Sequence, residues 1–560
     1  MGVEEQKGMR TTGSCVLSVV LIGLMGLLIL SILILASVPP ISKDALVHHL
    51  AVPKLYLRHG GMYEIPFMPF SYYPMNVDLL YLIPLSLGND IVPKYIHFAF
   101  AALTAYLIFS YLKRRTSKNY ALLGVLFFLS TPIIVKLSIT VYVDLGLIFF
   151  SMASLLLLLQ WIEDGFRLKL LLVSALFCGL AAGTKYNGLI TLLLLTLFVP
   201  FVFSRYAKGI KPGFLSASGY GMLFVSVALL VFAPWMIRNY LWTSNPIFPL
   251  YEHLFNPQNT ITTNTGGLFG FRSLIYHETW WEMALLPIRV FFEGQDGNPQ
   301  YFDGKLNPFL ILLPCCAFFR MKKDDPLIRN EQKILLAFAC LFFATAFFTS
   351  DMRIRYISPI IPPLVLLSVF GVRKMVSVIS ELRERRSRYV GLIALLLVVS
   401  FFLSLNAHYI FTQYRYVDPF SYLSGTLGKD EYIDKYRLEY PVIRYINKDL
   451  GSHDRILFLF MGNRGYYCER EYVFDMVSNR SLLRQLVKES SKPEEILRGL
   501  KENGITHMLI RYDIFDHWVK DEDQFTIREQ ELLGRFFEKY VELLYSKWGY
   551  GVSRLECLSS

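Results

Sequence analysis

Runs of apolar residues about twenty long recur from Val16 to Ile410, and none follows. A run of that length matches the hydrocarbon thickness of a bilayer when it is helical. Windows near 16–38, 92–112, 119–135, 138–161, 168–184, 187–204, 216–237, 305–320, 331–349, 355–373 and 388–410 give about eleven transmembrane helices. The stretch Val77–Leu87 is apolar but too short to cross and reads as a re-entrant or interfacial helix. Only 18% of residues are charged, against about 25% in a soluble domain. That deficit excludes a disordered or fibrous chain and argues against an ordinary soluble enzyme. The expected fold is a multi-span α-helical membrane protein followed by an extracytoplasmic α/β domain.

Charge sets the expected topology. With the N-terminus in the cytoplasm, the cytoplasmic segments are short and dense in Lys and Arg, as in KRR at 113–115, RMKKDD at 320–325 and RERRSR at 383–388. The opposite loops, 39–91 and 238–304, are much longer and carry three basic residues each. This is the positive-inside distribution. The net charge of +11 is therefore sorted by membrane side, and no nucleic-acid partner is expected. An odd number of spans places 411–560 outside. The first span is long and ends in VPP, so it reads as a retained signal anchor.

The chain thus divides into a membrane part, 1–410, and an outer domain, 411–560. In the outer domain 454–462 and 505–513 read as buried strands, 493–504 as an amphipathic helix with a glycine stop, and 540–556 as a closing hairpin. GNRGYY at 462–467 reads as a tight turn after a strand. Five of the seven cysteines fall in or beside spans; Cys468 and Cys557 are candidates to pair. Neither a zinc-type spacing nor a phosphate-binding glycine loop occurs, so a nucleotide-driven reaction has no support.

Charges at membrane depth are costly and point to function. On this topology they gather at the outer ends of the spans. Asp44 follows the first span. Lys136, Tyr142 and Asp144 occupy the turn in TVYVDLGL, and Lys185 and Tyr186 the turn in AAGTKYNGL. Arg238 and Asn239 end a span in PWMIRN, and Asp351, Arg353 and Arg355 lie in SDMRIRYISPIIPP. A site at the membrane edge suits a substrate with a lipid tail in the bilayer and a polar head beside it. Lys185, Arg238, Arg353 and Arg355 are candidates to hold a phosphate. Asp44 and Asp144 are the candidate catalytic bases.

The ordered set of Asp44, YYPMNVDLL (72–80), VYVDLG, GTKY, PWMIRN…NPIFP and RIRYISPIIPP resembles the polytopic GT-C glycosyltransferases. Within them it is similar to the group that includes protein O-mannosyltransferases and the lipid A aminoarabinose transferase. The resemblance spans most of 39–365 and extends to the outer domain. It implies an inverting transferase, hexosyl or pentosyl, that takes a sugar from a polyprenyl-phosphate carrier. The acceptor would be a lipid, glycan or protein on the outer face of a bacterial inner membrane. It implies Asp44 as the base and Lys185, Arg238 and Arg353–Arg355 as the lipid-phosphate site. Many protein mannosyltransferases carry an Asp-Glu pair in the first loop; here Ala45 follows Asp44.

Each site has a plainer reading beside it. Asp44 also suits an N-cap of a helix over 45–57. Asp144 also suits a helix-terminal charge bonded to Lys136 or Tyr142. Lys185 also suits a side chain snorkelling to the interface. His48, Tyr73, Asp78, Tyr142, Tyr186 and Asp351 are accessory candidates. No cofactor is assigned, and Asp44, His48 and Asp78 leave room for a divalent cation. Trp235, Trp242, Trp280 and Trp281 fit an aromatic belt. The long loop 238–304 reads equally as a lid or a connector. Two other functions fit the composition, a lipid-linked glycan transporter and a non-catalytic envelope assembly protein.

Overall fold

The computed structural model describes residues 3–207, 214–257, 267–319, 325–349, 352–475 and 481–556. It forms two compact units. One comprises residues 1–38, 73–80 and 91–419; the other comprises 39–72, 81–90 and 420–560. Most of the segment 39–91 therefore groups with the C-terminal residues.

The first unit is helical: α1 (Val3–Ala36), α2 (Val92–Arg115), α3 (Lys118–Ser130), α4 (Pro132–Ser138), α5 (Asp144–Glu163), α6 (Leu168–Ala182), α7 (Gly188–Tyr206), α8 (Phe214–Thr243), α9 (Phe309–Cys316), α10 (Pro326–Thr349), α11 (Ile361–Ser380) and α12 (Arg385–Val417). The spans are helices because a backbone in hydrocarbon must satisfy its polar groups internally. Eight of the described helices are long and apolar enough to cross a membrane, and nine if α3 and α4 form one bent span. The protein is a multi-span membrane protein.

The difference from eleven has local causes. α3 and α4 meet at 66°, because Pro132 lacks a donor and Thr131 before it is extended, with ψ 127°. α6 has only 15 residues, and α9 only eight, with Pro314 inside it. Side-chain amides and hydroxyls tie the helices together, as expected where burial alone gives little drive for association. Asn307 Nδ2 donates to Asn406 Oδ1 at 2.6 Å, and Asn406 Nδ2 to Ser130 Oγ at 2.9 Å.

The second unit contains a five-stranded sheet ordered β2-β1-β3-β5-β4. Its strands are β1 (Arg455–Leu459), β2 (Glu471–Phe474), β3 (His507–Arg511), β4 (Val541–Lys547) and β5 (Tyr550–Leu555). β1 is parallel to β2 and β3, whereas β5 runs antiparallel to β3 and β4. β1 and β3 are apolar on both faces because both faces are covered. Leu457, Leu459, Met508 and Ile510 pack with Leu483, Val487, Ile496, Leu500, Leu533 and Phe536. On the other side Phe67 of the first loop meets Tyr472 and Phe474 edge-on, at 6.3 and 6.0 Å. The helix Pro493–Glu502 and the β4–β5 hairpin follow the sequence expectation; β2 was not anticipated. Cys468 is buried, and Cys557 lies outside the described residues.

Asp475, at the end of β2, is half-buried. It accepts from Ser481 Oγ and Leu482 N, both at 2.7 Å. Burial outweighs those bonds and pushes its pKa up to about 6. The folded state thus holds a proton more tightly than the unfolded chain. The stabilising contribution is complete below the ordinary carboxylate range and is lost as pH rises through 6. Asp475→Asn should raise stability by about 2 kcal/mol at pH 7 and leave it nearly unchanged at pH 4. Thermal unfolding in detergent at both pH values checks this; equal gains at the two would refute it.

Candidate active site

The first unit gathers helix ends and turns. The α4–α5 turn carries Tyr142 and Asp144, the α6–α7 turn carries Thr184–Asn187, and α8 ends on Arg238 and Asn239. A 3-10 stretch, Ile354–Ile360, carries Arg355 and Tyr356. Asp144 is fully buried, and its Oδ1 accepts from Lys185 Nζ at 2.6 Å. Arg355 is near enough to act on Asp144 electrostatically. Its guanidinium lies 5.3 Å from the Tyr142 ring and 5.2 Å from the Tyr356 ring. Lys185 Nζ lies 5.0 Å from the same Tyr356 ring. Asn187 Nδ2 donates to the Tyr356 carbonyl at 3.3 Å, joining the two turns.

Arg238 is held from two sides. Trp235 and Trp242 face its guanidinium at 4.6 and 5.0 Å. Its Nη2 donates to Asn239 Oδ1 at 2.8 Å and to the Tyr73 carbonyl at 3.1 Å. Asn239 Nδ2 donates to the Tyr186 hydroxyl at 3.0 Å, and that hydroxyl donates to Phe248 O at 2.7 Å. Burial raises the pKa of Tyr186 above its ordinary range. The Tyr73 and Tyr186 rings are 5.2 Å apart.

The profile of the family described as Dolichyl-phosphate-mannose-protein mannosyltransferase matches residues 83–237. The structure resembles the crystal structure of ArnT from Cupriavidus metallidurans in the apo state, at TM-score 0.58 and 14% identity, over 97% of this chain and 98% of that one. It also resembles the same protein bound to undecaprenyl phosphate, at TM-score 0.53, 14% identity and the same coverage. The fold is the GT-C fold. No curated protein matches the chain by sequence.

Within the GT-C fold the predicted basic residues separate into two groups. Arg355 joins Asp144 and Lys185. Arg353 instead lies 3.7 Å from Asp303, which also pairs with Lys136 at 3.2 Å. Lys136 further meets Asp296 at 3.2 Å, and Asp296 accepts from the Tyr409 hydroxyl at 2.5 Å. The sequence reading missed Asp296 and Asp303, which lie in the EGQDGNPQYFDG segment. That segment is folded: Gly304 N donates to Gln295 O at 3.0 Å, and Gly297 N to Asp303 Oδ1 at 3.0 Å. Upstream, Arg272 is buried against Glu278 with bonds of 2.6 and 2.8 Å. Part of TNTGGLFGF and all of Asp351 lie outside the described residues.

His97 was also missed, since a lone histidine in an apolar span carries no local signal. Its Nε2 accepts from Leu145 N at 3.0 Å. Its Nδ1 lies 2.9 Å from Leu137 O and 3.0 Å from Thr140 O. These bonds assign the proton to Nδ1 and fix the turn that presents Tyr142 and Asp144.

Asn76 fixes the next turn. Its N donates to Gly183 O at 2.9 Å and its Nδ2 to Leu180 O at 3.3 Å, and its Oδ1 accepts from Trp235 Nε1 at 2.8 Å. A Cβ on Gly183 would come within 2.3 Å of Asn76 Nδ2. Gly183→Ala should therefore push Asn76 out and cost about 1–3 kcal/mol. A thermal melt that matched the unmutated protein would refute this.

The second unit holds Asp44 and His48. Asp44 precedes a five-residue π turn, Ala45–His49, and makes no side-chain capping bond. Single π turns are often found at functional sites. The segment is held at Pro40, whose carbonyl accepts from the Tyr467 hydroxyl at 2.7 Å, and at Leu46, whose carbonyl accepts from Tyr466 N at 3.3 Å. The GNRGYY turn thus clasps the chain on either side of Asp44. His48 stacks on Phe70 at 4.7 Å. Asp78, in the first unit, is 2% exposed. Among the described residues no group of three or more His, Cys, Asp or Glu is placed to hold a metal.

Proposed function

We propose that this chain is an inverting membrane glycosyltransferase that moves a hexosyl or pentosyl group from a polyprenyl-phosphate carrier to a hydroxyl-bearing lipid, glycan or protein. The observation that carries the reading is the convergence of Lys185, Arg238 and Arg355 on helix ends of one unit. Aromatic rings face the guanidinium groups of Arg238 and Arg355, and the Asp144 carboxylate holds the Lys185 ammonium, so each cation is fixed in place. That arrangement suits a phosphate head whose tail lies among apolar spans. Undecaprenyl phosphate bound to ArnT, a protein of the same fold, supports the choice of carrier.

In the reaction the acceptor oxygen attacks the sugar C1, and its proton passes to the Asp44 carboxylate. The bond from C1 to the phosphate oxygen breaks, and the lipid phosphate leaves with that electron pair. Lys185, Arg238 and Arg355 stabilise the charge that develops on it. Asp144 holds Lys185 in place and is a positioning residue rather than a second base. Arg353 takes an auxiliary place beside Asp303. Residues 1–410 supply the membrane part, and 411–560 brace the Asp44 segment from outside a bacterial inner membrane. The basic ends of α2, α10 and α11 would face the cytoplasm.

Transfer of radiolabel from a panel of polyprenyl-phosphate sugars in proteoliposomes tests the proposal. Label should reach an acceptor and be released from its lipid phosphate. Label that crosses the bilayer on its original carrier would instead make the protein a transporter.

A further inference from the structure

At the other end of α11, α10 and α11 enclose a cavity of about 210 Å³ lined by Arg329, Gln332, Arg373, Lys374 and Ser377, with Phe318 at its apolar wall. Eighteen residues, roughly 27 Å at 1.5 Å per residue, separate Arg373 from Arg355, so this cavity is remote from the proposed site. Asp325 and Glu381 also line the cavity, so three cations stand there against two carboxylates. Two further acids nearby are engaged with Arg115. Glu331 accepts from Arg115 at 2.6 and 2.9 Å and from the Tyr111 hydroxyl at 2.7 Å, and Glu163 accepts from Arg115 at 2.6 Å. Asp325 opens α10 by accepting from Leu327 N at 2.9 Å. Arg373 donates to the Arg115 carbonyl at 2.8 Å. Among the described residues neither Arg329 nor Arg373 is paired with a carboxylate.

Phe318 also borders a second cavity, of about 310 Å³, between α9, α10 and α11. Its walls there are Cys315, Leu336, Ala339, Cys340 and Leu364. A polar mouth that carries three cations and an apolar groove therefore adjoin at one shared side chain. The mouth has the chemistry of a phosphodiester site and the groove that of an acyl-chain site.

We infer that this crevice binds one anionic phospholipid, its phosphate against Arg329, Arg373 and Lys374 and an acyl chain in the groove past Phe318. Basic pockets between spans on the cytoplasmic side are suited to such head groups. The cations of the mouth outnumber its carboxylates by three to two, which favours an anionic lipid over a zwitterionic one.

The test uses the purified full chain, delipidated and titrated with phosphatidylglycerol or phosphatidylcholine, with bound lipid counted by native mass spectrometry. Phosphatidylglycerol should bind preferentially. The double variant R329Q/R373Q should weaken it about 30-fold, from about 1 kcal/mol per basic residue at an anionic surface, and R329K/R373K should largely retain it. Cys340→Trp, which fills the groove, should weaken a long-chain phosphatidylglycerol more than a six-carbon one. Unchanged melting of each variant in phosphatidylcholine shows that it is folded; a variant that fails this is replaced by a competition titration on the unmutated chain. Equal binding of the two lipids would overturn the inference. So would displacement by inorganic phosphate at the same concentration, which would mark a simple anion site. Displacement by a polyprenyl phosphate would assign the groove to the sugar carrier instead.

Discussion

Asp44→Asn should lower the rate of sugar transfer about a hundred- to ten-thousand-fold, the usual contribution of a positioned general base, while leaving affinity for the lipid phosphate nearly unchanged. The two readouts separate because the proposed base and the proposed cations act on different groups. Asn keeps the size of Asp and much of its hydrogen bonding but accepts no proton from the acceptor. Since Asp44 makes no side-chain capping bond, its replacement should not unravel the helix Ala51–His59 behind it. The structural cost should therefore stay within about 1 kcal/mol. The check is a steady-state transfer assay beside a titration with polyprenyl phosphate. Full activity in Asp44→Asn would remove Asp44 from the mechanism. A large loss of phosphate affinity would move it into the binding site.

The parts of this fold legible in the sequence were those set by composition over long windows. A span of twenty apolar residues announces itself, and ILFLF and MLI between turn residues announce two buried strands. What was not legible depends on contacts distant in sequence. Pro132 gave a local sign of a bend, but not that α3 and α4 would turn by 66°. β2 is four residues long and pairs with β1 only because the sheet is already there. The turns bearing Asp144, Lys185, Arg238 and Arg355 were picked out because charge at membrane depth is rare. Their pairing was another matter. Arg353 and Arg355 differ by two positions, yet one meets Asp303 and the other the Asp144–Lys185 pair. Asp303 lay in a loop that read equally as a lid or a connector, and nothing local tied its acids to the basic turns. His97 had no pattern at all, and its role rests on three backbone groups of a turn some forty residues away.

Asp144 offers the sharper test of how the site is built. Asp144→Ala should destabilise the protein by about 3–5 kcal/mol, because it strands the Lys185 ammonium where its carboxylate partner was fully buried. Lys185→Met on its own should also destabilise, by leaving the carboxylate buried without its partner at 2.6 Å. The double variant Asp144→Ala/Lys185→Met removes both charges and should recover most of the loss, to within about 1.5 kcal/mol of the unmutated protein. Stability recovers, but binding should not: without the ammonium the lipid phosphate loses one of its three proposed cations, and its affinity should fall about tenfold or more. Unfolding in mild detergent and a polyprenyl-phosphate titration on the same four proteins form a complete cycle. Additive stability effects would mean that the pair is not coupled, and phosphate affinity restored in the double variant would mean that Lys185 does not touch the substrate. Non-additive stability with persistently weak binding is the result expected of a lysine whose carboxylate partner serves to hold it ready for a phosphate.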